Sequence, residues 1–152
     1  MKKEINLDFS FSRPFGPPIG ISSIPEYIIE KLNNFVDNDI KNNDELASSL
    51  DHGENLAGQV KQEIKIPETL IYPDLYDFLF NISKHYVKMG RNRDISKFEI
   101  LQTWIVRQFE NEYNPMHYHG GHLSGAGYIM LPENFGEFFQ KNKKNNLNGH
   151  IN

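Results

Sequence analysis

The sequence predicts an α+β domain, with helices packed on one side of a mainly antiparallel sheet. Two segments in its first two-thirds repeat apolar residues at helical spacing. From Lys97 the period shortens to that of a strand, with Phe98, Ile100, Trp104 and Val106 on one face and Leu101, Ile105 and Phe109 on the other. A length of 152 residues suits one domain with one core. The whole chain, 1–152, is therefore read as a single domain, helical over about 1–96 and β-rich, with the metal-site motif, over about 97–152.

In chain order, residues 1–23 read as an extended leading segment in which Phe9 and Phe11 alternate and Pro14, Gly16, Pro17, Pro18 and Gly20 break regular structure. Ser23-Ile24-Pro25-Glu26 has the spacing of a capping box, with proline in the first turn. Ile28, Leu32, Phe35 and Val36 follow on one helical face. Residues 37–58 are polar and read as a loop, with one short helical turn over Glu45–Leu50. Val60, Ile64 and Ile66 share a parity and mark a strand over 59–66, stopped by Pro67. Leu75, Phe78, Leu79, Ile82, Tyr86 and Met89 mark a second helix, with Gly90 as its stop. After the polar loop 91–96 comes the doubly apolar strand, a turn over Asn111–Pro115, the MHYH run, the pair Gly120-Gly121, and a further strand over Leu123–Leu131. Residues 140–148 are mostly Lys and Asn and read as loop or disorder.

Cysteine is absent, which rules out disulfides and thiolate metal sites and fits a reducing compartment. No apolar run approaches the roughly 18–20 residues of a membrane helix, and no apolar stretch follows Lys2 and Lys3, so a cytoplasmic protein without a signal peptide is expected. Net charge is −4 with no basic stripe, which does not favour a nucleic-acid partner. A homo-oligomer stays open.

The chemistry concentrates in NEYNPMHYHGGHLSGAGYIMLP. In an extended segment His117 and His119 point to one face and Tyr118 to the other. Two imidazoles about 6.5 Å apart at Cα can converge on one cation. Neutral imidazole suits iron, zinc, copper or nickel. The glycine pair leaves room beside such an ion. The bland reading, two ordinary surface or core histidines, is set against this by context: the pair follows a buried strand and a proline turn, where ligands bind.

Asn114, Pro115, His117 and His119, preceded by Trp104 and followed by Ser124, Gly125, Tyr128 and Pro132, resemble a family of 2-oxoglutarate/iron(II) oxygenases common in marine phages and bacteria. The leading FSRPFGPPIG, the helix after Pro25 and Leu56–Ile64 fall where that family has comparable segments. The resemblance implies a double-stranded β-helix, or jelly roll, packed against N-terminal helices. It implies Fe(II) as metal, held by His117 and His119, and 2-oxoglutarate as a small-molecule co-substrate. It makes Gln102, Trp104 and Ser124 candidate cofactor-binding residues, and places the protein in the host cytoplasm if it is viral. The prime substrate is open. The family pattern also uses a distal histidine and a basic residue on later strands. Here no arginine follows Arg107 and the last histidine is His150, so an incomplete jelly roll is expected, with Lys141, Lys143 or Lys144 as a substitute anchor if the tail folds back.

Two other functions compete. One is a non-catalytic jelly-roll module that binds a partner or serves structurally. The other is a zinc hydrolase using His117, His119 and His122, although Gly121 stands where the hydrolase motif has aspartate. A cupin is excluded because Leu123 and Ser124 occupy the positions of its glutamate. Trp104, Tyr118 and Tyr128 have plain core roles as the alternative reading. His52 is expected to be solvated in its polar loop, His85 to lie at a helix boundary, and Arg91 and Arg93 to be a solvated pair.

Overall fold

A computed structural model describes residues 7–14, 16–134 and 136. The tail 140–148 and its lysines lie outside the described residues. The fold is mixed α+β, with helices and two small antiparallel two-stranded sheets.

The leading segment is more regular than its prolines suggest. Strands β1 (Phe9–Ser12) and β2 (Ile19–Ser22) pair antiparallel, Phe9 opposite Ser22 and Ser12 opposite Ile19. The prolines occupy the connection between them, where no ladder N–H is needed. Gly20 is required in β2: a Cβ there would fall 2.7 Å from the Phe9 ring.

Helix α1 (Glu26–Asn34) buries Ile28 and Leu32, and a π-helical turn over Phe35–Ile40 continues it, burying Phe35, Val36 and Ile40. The expected apolar face is therefore present and one turn longer. The capping box is not formed: Pro25 is the N-cap and no side chain caps the helix. Proline lacks the polar side chain a cap needs, and Ser23 lies two residues too early. Helix α2 (Asp44–Ser49) matches the expected short turn, capped by Asn43, whose Oδ1 accepts from Leu46 N at 3.0 Å.

Strand β3 (Gln62–Lys65) is followed by a single turn, α3 (Glu68–Leu70), after Pro67. Helix α4 (Tyr76–Arg91) is the long helix expected from the apolar repeat. It does not stop at Gly90. Asn92, in the left-handed region at φ 50°, ends it instead. Gly90 serves packing: Phe11 Cζ lies 3.3 Å from where its Cβ would be. Tyr86 donates from its hydroxyl to Pro18 O, tying α4 to the first hairpin.

Strand β4 (Trp104–Arg107) pairs antiparallel with β3, Ile64 opposite Ile105 and Glu63 opposite Val106. The other edge of β3 is occupied by residues 50–52: Lys65 N donates to Leu50 O, and His52 N to Glu63 O. That double cover is why β3 is buried. The long strand expected from Lys97 shrinks to these four residues. Leu101 and Phe109 are exposed, and only Ile105 of the run is fully buried. The strand expected over Leu123–Leu131 is absent; this stretch crosses α1 without a ladder, Asn33 donating to Ile129 O at 2.7 Å. Helices do not simply precede strands, since β1, β2 and β3 all lie before residue 97. Among the described residues no helix is long and apolar enough to cross a membrane.

The core joins Ile28, Leu32, Phe35, Val36 and Ile40 of the first helical segment to Ile64, Ile66, Ile71, Leu75, Phe78 and Ile105.

Candidate metal centre

His117 and His119 are not on a strand. They lie in an irregular segment between the Asn111 turn, at φ 66°, and Gly121, at φ 93°. The expectation of side chains alternating in a strand is corrected here, yet the two rings still meet. Their Nε2 atoms are 3.0 Å apart, with ring centroids at 4.6 Å and planes at 84°. A local bond replaces the strand as the organising force: His117 Nδ1 lies 2.7 Å from Pro115 O.

That bond decides a proton. A carbonyl only accepts, so Nδ1 of His117 carries hydrogen and donates. In neutral imidazole the Nε2 lone pair then faces His119 Nε2, whose hydrogen it can accept in the absence of a metal. A ligating histidine characteristically has its other ring N–H bound to a carbonyl or carboxylate. The separation also suits a shared ion. Two nitrogens 3.0 Å apart, each about 2.0–2.1 Å from one cation, subtend an angle of about 90°. That fits adjacent positions of an octahedral ion better than a tetrahedral site.

Trp104, half-buried on β4, stands between two imidazoles. Its ring is 5.6 Å from that of His119 and 5.8 Å from that of His52. It supports His119 from behind. His52 is not solvated as expected. It is 5% exposed, because its loop folds back along β3 and its ring lies against Trp104.

An open cavity of about 450 Å³ lies over the pair, lined by Asn55, Leu56, Ala57, Gln102, Met116, His117, Tyr118, His119 and Gly120. Of the three candidate co-substrate residues, Gln102 lines this cavity and Trp104 and Ser124 do not. No lysine or arginine is among the lining residues. Met116 and Tyr118 are 102% and 94% exposed. Among the described residues no group of three His, Cys, Asp or Glu side chains is placed to hold a metal, so His122 does not join the pair. The described residues thus bring two imidazoles together without a third ligand.

Sequence reasoning missed Glu63. It is 3% exposed, at the centre of the sheet formed by β3, β4 and the 50–52 segment. Burial pushes its carboxyl above the ordinary range, Asp51 adds to the rise, and His117 offsets part of it. The signal was weak because Glu63 shares parity with Lys61 and Lys65, so that face of β3 reads as solvent-facing.

No protein-family model matches the chain, and neither a curated protein nor a solved structure matches it.

Proposed function

We propose that this chain carries the metal-binding histidines of an iron(II)/2-oxoglutarate-dependent oxygenase of the jelly-roll type. The observation that carries the reading is the 3.0 Å approach of His117 Nε2 to His119 Nε2, with His117 Nδ1 tied to Pro115 O. It occurs inside the N-P-x-H-x-H segment that resembles that family. His117 and His119 would hold Fe(II), which when bound would supply chemistry in which O₂ is the oxidant, one of its oxygen atoms going to the decarboxylated 2-oxoacid and the other to the prime substrate. The chain's own residues provide the setting. Pro115 O holds the proton on His117 Nδ1, Trp104 backs His119, and Gln102 offers an amide to a polar ligand in the cavity. The cavity lining brings no cation for the far carboxylate of 2-oxoglutarate. On this reading that partner, a third ligand and the remaining jelly-roll strands come from polypeptide other than the described residues.

The test is titration of the chain with cobalt(II), a spectroscopic substitute for Fe(II), and assay of 2-oxoglutarate decarboxylation with Fe(II). Binding at about micromolar affinity is expected, lost in His117→Ala and His119→Ala. Equal cobalt binding by the parent and both variants, or none by any, sinks the proposal. A non-catalytic binding module is favoured by one observation, the full exposure of Met116 and Tyr118 beside the pair. It is distinguished by the absence of both cobalt(II) binding and 2-oxoglutarate turnover, and by partner-binding properties that His117→Ala leaves unchanged.

A further inference from the structure

The two histidines hang from a segment with no ladder of its own, so another part of the fold must fix where it begins. Gln59 N donates to Tyr113 O at 2.9 Å, closing an isolated antiparallel bridge. Beside this bridge the backbone of Gly58 sits in a slot. A Cβ on Gly58 would fall 2.5 Å from Glu63 Oε1 and 2.6 Å from Asn114 Oδ1, closer than real contacts allow. One wall of the slot is therefore a carboxylate, the other an amide.

The two walls differ in mobility. Glu63 is buried inside β3 and its backbone is paired on both sides, so the root of its side chain is a fixed point. Asn114 is exposed and opens the N-P-M-H-Y-H run. One residue later, Pro115 O receives the His117 Nδ1 proton. The two atoms that face Gly58 are both acceptors, Glu63 Oε1 and Asn114 Oδ1; a half-turn of the Asn114 amide brings its NH₂ toward the carboxylate, which accepts it. Only glycine at position 58 lets the two approach.

We propose that Glu63 is a positioning residue: meeting Asn114 in the slot over Gly58, it fixes the start of the histidine segment and so the orientation in which His117 Nε2 faces His119. The consequence for a metal rests on the oxygenase reading. The consequence for the His117 ring does not.

The experiment uses the full chain and the variants Asn114→Ala, Glu63→Ala, Gly58→Ala and Glu63→Gln. Long-range ¹H–¹⁵N spectra of the metal-free proteins, taken with the imidazoles neutral, report which nitrogen of His117 carries hydrogen. The parent is expected to show the Nδ1–H form. Asn114→Ala, Glu63→Ala and Gly58→Ala are expected to raise the Nε2–H share several-fold. Glu63→Gln keeps a hydrogen-bonding side chain of the same length and is expected to behave like the parent. Cobalt(II) affinity should fall about 10–100-fold in the three releasing variants, the range typical of lost outer-shell support. A general loss of stability would not by itself shift the tautomer in a variant that remains folded. If Glu63→Ala does not fold, the exposed Asn114→Ala carries the same test. A parent that binds no cobalt while the tautomer still shifts defeats the oxygenase reading and leaves the positioning role intact. Unchanged His117 spectra in the folded releasing variants overturn the proposal.

Discussion

At the scale of single residues, Glu63 is where the fold accepts a cost. Its carboxyl is raised chiefly by burial and further by Asp51. Between the ordinary carboxyl value and this raised one, the folded chain holds a proton that the unfolded chain has released. Stability therefore falls as pH rises through that window, and below it the two states are protonated alike. Glu63→Gln removes the ionisation and keeps the shape. Its unfolding midpoint should exceed the parent's at pH 7 and converge with it near about pH 4. Urea denaturation across this range checks the sign, and a parent that gains stability on the variant as pH rises would contradict it. That the two histidine rings meet was legible because their spacing is local, although the strand expected to align them is replaced by the bond from His117 Nδ1 to Pro115 O. Glu63 and His52 were not, because what buries them is the return of residues 50–52 along β3 and the ring of Trp104. Neither contact leaves a mark in the periodicity around them.

At the scale of elements, apolar period located the helices well and their faces less evenly. The stripe of α1 lies in the core as its spacing requires. On α4 the expected face includes Met89, which is 56% exposed, while Phe78 is fully buried. The end of the helix lies under the first hairpin, where Phe11 and Pro18 close over Gly90. Met89→Ala should accordingly change stability by no more than about 0.5 kcal/mol. Ile64→Ala, on the strand enclosed from both edges, should cost about 2–5 kcal/mol. Urea unfolding of the two variants gives the contrast, and comparable losses would mean that α4 is placed wrongly against the core. Strand length was the less readable quantity. The apolar run from Phe98 to Phe109 has the composition of a central strand, but a central strand needs partners on both sides. Within the described residues β4 has only β3.

At the scale of the whole molecule, the histidine segment belongs to no single element. Its start is bridged to Gln59, its cavity is walled by Asn55, Leu56 and Ala57, and its His119 ring rests on Trp104 of β4. The loop from His52 to Gly58 is in turn held by β3, whose Ile64 reaches the core shared with α1. Unfolding of the core strands would therefore dismantle the centre, and an ion bound there should stabilise the entire fold. Mass action sets the size: cobalt(II) at about 100 times its dissociation constant adds about 2.7 kcal/mol. For a chain of 152 residues that amounts to a rise of about 5–10 °C in the unfolding midpoint. The rise should disappear in His117→Ala and reverse on chelation in the parent. Calorimetry with and without cobalt measures it. Equal rises in the parent and His117→Ala would place the bound metal elsewhere and leave the two rings as a hydrogen-bonded pair.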